Sequence, residues 1–388
     1  MKFTKKCFFL LLIFARINNS CAGDITVKLN GGFDFQAGHL KSNAPAKAKP
    51  VSTNNKNFAF NSSAYAAVNA KNTLDSGFIY GAQIAISPTT THSRKTRSML
   101  FMEASFGRLE LGSEQSAVSK MRITPLSIAS ATGGLWDIWV AGDPVGNIPY
   151  NMNYSNYLDS KMRARGKTEF SRKITYFTPK YNGLQFGISY IPDSGNVGYD
   201  ELKENVAHTP ITSNYTYAVK NGFGGGVSYQ KDFNDISYVK LSGVTEFGKV
   251  IATPKPNVKV PTIKPKRLAT YHVGAEFTHS QYSIAGSYAN HLGSFIAPNE
   301  NRVETAVYGL GGRYKLEKFS SSVTYFSSTH RKNKMEAITF AVDYKVAKGL
   351  LPYAEVTLFR AKGSDILNPK IRSNHKGSLL LTGARVEF

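Results

Sequence analysis

The sequence predicts an all-β fold, a closed antiparallel barrel that crosses a membrane, and three observations carry that expectation. Apolar and polar residues alternate one for one in segment after segment, the connections between segments are long and short in turn, and an export leader precedes them. After the leader, no stretch approaches the ~20 apolar residues of a membrane-spanning helix, and apolar residues at i, i+3, i+4 and i+7 are hard to find.

Residues 1–23 read as a signal peptide. Lys2, Lys5 and Lys6 form a basic start, an apolar run extends from Cys7 to Ala15, and Ser20, Ala22 and Gly23 offer small residues for cleavage. The run is too short for a membrane anchor, and Asn18-Asn19-Ser20 gives Cys21 no lipidation context. Both cysteines, Cys7 and Cys21, lie in the leader, so the exported chain would hold no disulfide and would depend on backbone pairing and packing. Cleavage also removes Lys2, Lys5, Lys6 and Arg16 but no acid, taking the formal charge from +22 to +18. Those cations recur singly along the alternating segments instead of clustering on one motif, which excludes nucleic acid as a partner. They fit a pore wall that attracts anions, or loops that meet anionic lipopolysaccharide. No long Pro/Ser linker divides residues 24–388, which are expected to form one domain.

The alternation is clearest in Ile25-Val27-Leu29, Phe33-Phe35, Leu184-Phe186-Ile188-Tyr190, Phe319-Ser321-Val323-Tyr325, Ile338-Phe340-Val342-Tyr344 and Leu380-Thr382-Ala384-Val386-Phe388. Period two places one set on each face of a strand, and the lengths, roughly 9 to 13 residues, suit a tilted membrane crossing. The polar face would carry Lys28, Asp34, Glu103, Arg108, Glu110, Lys173, Arg313, Lys315, Asp343, Lys345 and Arg385.

Connections give the count. Backwards from Phe388 they run Lys362 to Gly377, then Ala347-Lys348-Gly349; Ser328 to Met335, then Leu316-Glu317-Lys318; His291 to Arg302, then His279-Ser280; Gly248 to Lys266, then Lys231 to Asn234. Outer-membrane barrels show this asymmetry of tight periplasmic turns and longer outer loops. Taken as a strand, Ile211 to Lys220 would make the number odd, so it is assigned to an outer loop from Pro192 to about Asn221. About sixteen strands result, an even number. They begin near residues 24, 57, 76, 98, 108, 171, 183, 222, 235, 268, 281, 303, 318, 336, 350 and 378.

One connection, Ser113 to Phe170, is far longer than its neighbours, and an unstructured loop of that size is usually functional. It holds both tryptophans, Trp136 and Trp139, which are expected to pin it against other protein. Gly224-Gly225-Gly226 and Gly309-Leu310-Gly311-Gly312 lack the Gly-Lys-Ser/Thr of a phosphate loop and fit bends or bulges within strands. The histidines, among them His92, His208, His272, His279 and His330, show no metal-ligand spacing, and nothing assembles a nucleophile, base and acid. No enzyme, metal or cofactor is expected.

Three segments carry a resemblance. Phe106-Gly107-Arg108-Leu109-Glu110-Leu111-Gly112 is similar to the strand entering the third loop of the general-diffusion porins of Gram-negative bacteria, the alphaproteobacterial type in particular. The run from Ile174 to Tyr190 resembles the strand, turn and strand that follow, and Ala384-Arg385-Val386-Glu387-Phe388 resembles their terminal assembly signal, with Phe388 read by the barrel-assembly machinery. The resemblance implies an outer-membrane homotrimer, passive diffusion of small hydrophilic solutes, and a third loop folded inward as a constriction. It further implies acidic loop residues facing basic wall residues. Loop candidates are Asp137, Asp143 and Asp159, with Lys120, Arg122, Lys161, Arg163 and Arg165; wall candidates are Lys28, Glu103, Arg108, Glu110, Lys173 and Arg313. The chain departs from the family where Ser113 follows Gly112 and where Phe177 replaces a frequent wall Arg, so Arg108 and Lys173 are expected to substitute. The net charge favours anions. A solute-selective channel, or a surface adhesin using the basic segment Lys249 to Arg267, are the alternatives.

Overall fold

A computed structural model of the chain describes residues 24–43, 58–88, 94–133, 139, 168, 171–196, 215–254, 260–294, 305–330, 333–364 and 372–388. The strands are β1 (Thr26–Ser42), β2 (Phe58–Thr73), β3 (Ile79–Pro88), β4 (Arg94–Ala104), β5 (Gly107–Gly112), β6 (Lys173–Phe177), β7 (Leu184–Asp193) and β8 (Tyr215–Asn234). There follow β9 (Ser237–Pro254), β10 (Leu268–His279), β11 (Tyr282–Asn290), β12 (Thr305–Leu316), β13 (Phe319–His330), β14 (Asn333–Tyr344), β15 (Leu350–Ser364) and β16 (Arg372–Glu387). Each pairs antiparallel with its neighbours in sequence, and β1 closes on β16. Sixteen strands in a closed ring leave no edge, the requirement hydrocarbon places on a sheet. The terminal residue completes the seam: Gly31 N donates to Phe388 O at 2.9 Å and Phe388 N to Gly31 O at 3.0 Å.

Alternation sorts the two faces. Phe33 and Phe35 are exposed on the outside, whereas Asp34 and Gln36 turn inward; Phe186 and Ile188 lie outside, Gly187 and Ser189 inside. The outer apolar band is edged by aromatic rings. Toward the long-loop end, ring centroids lie 4.9 Å apart for Tyr190 and Phe223, 5.6 Å for Phe223 and Phe247, 5.8 Å for Tyr271 and Tyr288, and 4.8 Å for Tyr288 and Tyr308. At the short-turn end Tyr282 and Tyr314 are 5.3 Å apart. Two such girdles mark the two membrane interfaces.

The expected segments all correspond to strands, but at the outer end pairing runs further than expected: 328–330 and 333–335 belong to β13 and β14, and 362–364 and 372–377 to β15 and β16, not to loops. Tyr215–Lys220 is not loop: it is the first part of β8, and Lys249 to Pro254, assigned to the following loop, is the part of β9 that pairs with it. A bulge explains the misreading. Asn221 adopts φ +50° and the register shifts between Lys220 and Phe223, so the inward positions change from odd (Val219) to even (Gly224). One strand therefore carries two hydrophobic phases and resembles two. The Lys231 to Asn234 turn likewise belongs to β8, leaving only Asp235 and Ile236 between strands.

The tight turn after β6 shows how sequence fixes register. Asn182 and Gly183 take φ +48° and +85°, Tyr181 and Leu184 exchange two backbone bonds of 2.9 Å, and the hairpin is of the Asn-Gly type. A Cβ on Gly183 would stand 1.9 Å from Gln230 O. Gly183→Ala is predicted to destabilise the barrel by about 1–3 kcal/mol, through positive φ and this clash. Urea unfolding in vesicles checks it, and an unchanged midpoint would refute the constraint.

Candidate functional site

The third loop leaves β5 at Ser113 and enters the barrel, where a bulge of protein could close the lumen only if its backbone finds new partners. It finds them on the wall. Ala117 N donates to Ser189 Oγ on β7 at 2.8 Å, Ile123 N to Ser242 Oγ on β9 at 3.1 Å, and Ser127 Oγ to Glu276 on β10 at 2.7 Å. Further round, Ser130 N donates to Ser322 Oγ on β13 at 2.8 Å, Ala131 N to Asp343 on β14 at 2.9 Å, and Thr132 to Glu355 on β15 through N at 3.2 Å and Oγ1 at 2.6 Å. Trp139 Nε1 then reaches Gln36 on β1 at 3.1 Å, with the indole 2 % exposed. These contacts carry the loop past most of the circumference. Each supplies an amide or hydroxyl with an acceptor where ladder pairing has ended.

Close seating requires a wall without side chains beneath it. A Cβ on Gly187 would fall 2.5 Å from Met121 Sδ, on Gly224 3.0 Å from Val118, on Gly274 2.0 Å from Ile123 O, on Gly311 2.9 Å from Pro125, and on Gly38 2.5 Å from Trp139. Gly224 and Gly311, read from sequence as bends, are thus part of a track for the loop. Its short helix α1 (Ala117–Met121) buries Ala117, Val118 and Met121 against Phe177 and Val244. Phe177, where a wall Arg is frequent in the family the chain resembles, packs under α1 and borders the cavity beneath it.

Below α1 the charged side chains converge. Arg108 donates Nη1 to Glu103 at 2.9 Å and Nε to Glu110 at 2.8 Å, and Lys120 Nζ meets the other Glu110 oxygen at 2.5 Å. On the facing wall Lys240 lies 3.3 Å from Glu276, which also accepts from Tyr238 Oη at 2.9 Å. Both groups border one cavity of about 760 Å³, lined also by Arg122 and Lys180. Nearer the long-loop end the lining is different. Inward positions on the outer half of β8 to β16 carry Val219, Leu268, Phe326, Met335, Phe359, Leu379 and Leu381, packed with Trp139 into one apolar cluster.

Among the expected residues, the structure brings together Glu103, Arg108, Glu110, Lys120 and Arg122 around that cavity. Lys173 is placed elsewhere: it is 5 % exposed and its Nζ donates to Glu114 O at 2.5 Å, so its charge secures the base of the loop instead of facing the cavity. Arg313 lies on the inner face of β12, with Nη2 3.1 Å from Ser283 Oγ, and Lys28 is exposed at the start of β1. Asp343 anchors the loop, and Asp34 joins Tyr353 Oη at 2.6 Å and Arg385 at 3.3 Å beside the seam. Asp137, Asp143, Asp159, Lys161, Arg163, Arg165 and Trp136 lie outside the described residues. Glu276, Glu355 and the anchoring serines were not singled out from sequence; their signal was small or acidic residues at inward positions of strands that follow the loop. Among the described residues no His/Cys/Asp/Glu group could hold a metal.

Two variants test the seating of the loop. Gly274→Val should push Ile123 off the wall, and Asp343→Asn with Glu355→Gln should weaken the two carboxylate-held amides, at about 1.5–3 kcal/mol for each charged hydrogen bond. Faster proteolysis within 113–133 in folded barrels is the expected outcome; unchanged cleavage would show that other contacts hold the loop.

The comparisons agree with this architecture. A family model described as Gram-negative porin matches residues 11–364. An uncharacterized protein of Rickettsia bellii (strain RML369-C) is 30 % identical over 95 % of this chain and 94 % of its own, and one of Rickettsia prowazekii (strain Madrid E) is 30 % identical over 94 % and 93 %. Among solved structures, the anion-selective porin from Comamonas acidovorans superposes with a TM-score of 0.62 at 15 % identity, covering 94 % of this chain and 100 % of that one. An engineered variant of the Rh. blastica porin gives 0.54 at 13 %, with the same coverage. The structural likeness speaks for the fold, and the family match for descent: with its closed barrel and inward third loop, the chain belongs to the Gram-negative porin family, a channel protein of the outer membrane.

Proposed function

We propose that the protein is a passive, anion-preferring diffusion channel for small hydrophilic solutes, exported after removal of residues 1–23 and assembled as a homotrimer. The cavity below α1 carries the reading. Five cations (Arg108, Lys120, Arg122, Lys180, Lys240) line it against three acids (Glu103, Glu110, Glu276). In a confined passage such an excess lowers the energy of an anion relative to a cation. The Comamonas porin, described as anion-selective, is a fold neighbour with the same preference.

The trimer is supported by the outer face of β2 to β4. Phe33 and Phe35 pair with Ala64 and Ser62, and outward positions there include Ala66, Ala70, Ala82 and Ser98 between larger residues such as Phe60, Ile84 and Leu100. Small side chains permit close approach of a second barrel. The leader's basic start, apolar run and small residues support export.

Planar-bilayer recording under a salt gradient tests the channel. The expected result is ohmic steps in groups of three with a reversal potential on the anion side; absence of conductance from folded barrels would sink the proposal. Lys120→Gln with Arg122→Gln is predicted to reduce the anion-to-cation permeability ratio on the order of twofold or more. An unchanged reversal potential would remove the cavity from selectivity.

A further inference from the structure

The outer aromatic girdle is interrupted on one side of the barrel. It passes from Tyr288 to Tyr308 and then to Tyr325 on β13, whose hydroxyl donates to Glu336 on β14 at 3.2 Å. Beyond Tyr325 the outward positions of β14, β15, β16 and β1 at this level carry charges: Lys334, Glu336, Arg360, Lys362, Lys376 and Lys41. Their side follows from register, since Ile338, Leu358, Leu380 and, on β1, Phe35 face outward and the charged residues share the parity of the one on their own strand. Five cations thus accompany one carboxylate, and Lys334 occupies that carboxylate at 2.7 Å.

The cations are also opposed to one another. Lys334 stands directly across from Lys362, and Arg360, which faces Glu336 on β14, stands directly across from Lys376 on β16, two like-charged cross-strand pairs on a patch with one carboxylate. Such pairs are destabilising unless an anion lies between them. Lys41, Arg360 and Lys376 line a groove of about 1080 Å³ whose lower wall is Ile338 and Leu358, continuous with the lipid-facing band. Cations at girdle height and an apolar floor beneath match one kind of molecule, an anionic head joined to hydrocarbon.

We propose that this groove binds the phosphorylated headgroup of an outer-leaflet lipid, with Arg360 and Lys376 as the principal phosphate ligands and Lys41, Lys334 and Lys362 around them. Arg360 offers a planar fork of N–H donors suited to phosphate oxygens, and Lys376 a point charge across the pair. The acyl chains descend over Ile338 and Leu358. The inference rests on the barrel standing in the outer membrane with its long loops outward, and is independent of which ions cross it.

The test uses the full-length barrel in maltoside micelles, mixed with bis-phosphorylated lipid A and followed by native mass spectrometry. Wild type should retain the lipid, whereas dephosphorylated lipid A should be lost. Arg360→Gln with Lys376→Gln should weaken retention about fivefold for each cation, on the order of 25-fold together. Arg360→Lys with Lys376→Arg should keep most of it, and Lys318→Gln with Lys348→Gln, at the short-turn end, all of it. Heat-modifiable migration shows that each variant is folded. Equal retention by wild type and the Gln pair, or indifference to the phosphates, overturns the proposal; displacement by inorganic phosphate alone overturns it in favour of a free-anion site. Conductance of the same preparations in neutral phosphatidylcholine bilayers separates the two readings. A barrel that holds lipid A but passes no current refutes diffusion only, and one that conducts without holding lipid A refutes the groove only.

Discussion

A backbone amide in hydrocarbon has no water to bond with, so a strand that crosses a membrane must pair along both sides, and this sheet meets that demand by returning β16 to β1. The same demand recurs inside the barrel. Where the third loop abandons strand geometry its amides lose their ladder, and wall serines and carboxylates replace it at Ser189, Ser242, Ser322, Asp343 and Glu355. The inner wall is therefore constructed as a receptor for a specific backbone, with acceptors at the amides and glycines where the chain presses closest. Position of the loop and closure of the barrel are two answers to one constraint.

The receptor also draws on charge. The described part of the loop brings Lys120 and Arg122, both expected from the sequence, to the cavity, and much of the wall's acid (Glu276, Asp343, Glu355) is engaged in holding the loop. Those carboxylates lose no charge by holding the loop, and the cavity carries five cations against three acids. On the proposed reading, ion preference follows from the charges that border the cavity more than from the net charge of +22.

The fold was legible in the sequence because alternation and connection length are both direct imprints of a membrane sheet. Alternation misled at Asn221, where a bulge changes the face of the residues that follow in β8, and Tyr215–Lys220 consequently read as a separate segment. The site was legible in part. Arg108, Glu110 and Glu103 announced themselves as charges on a polar face; Gly187, Gly274, Ser242 and Ser322 did not, since nothing local distinguishes a glycine that receives a loop from one that bends a strand. Lys173 was misjudged for the same reason: its inward direction is local, but Glu114 O, its partner, arrives from the loop.

The loop's last described anchors fall on both sides of the seam. Thr132 holds β15, Ala131 O lies 3.5 Å from Arg385 on β16, and Trp139 holds β1 through Gln36. Until β1 and β16 meet, those sites belong to opposite ends of an open sheet, and no single loop path can satisfy them. The anchors on β15, β16 and β1 are available together only once the sheet is a circle, so the course the loop takes across the seam is a property of the closed barrel and of no part of it.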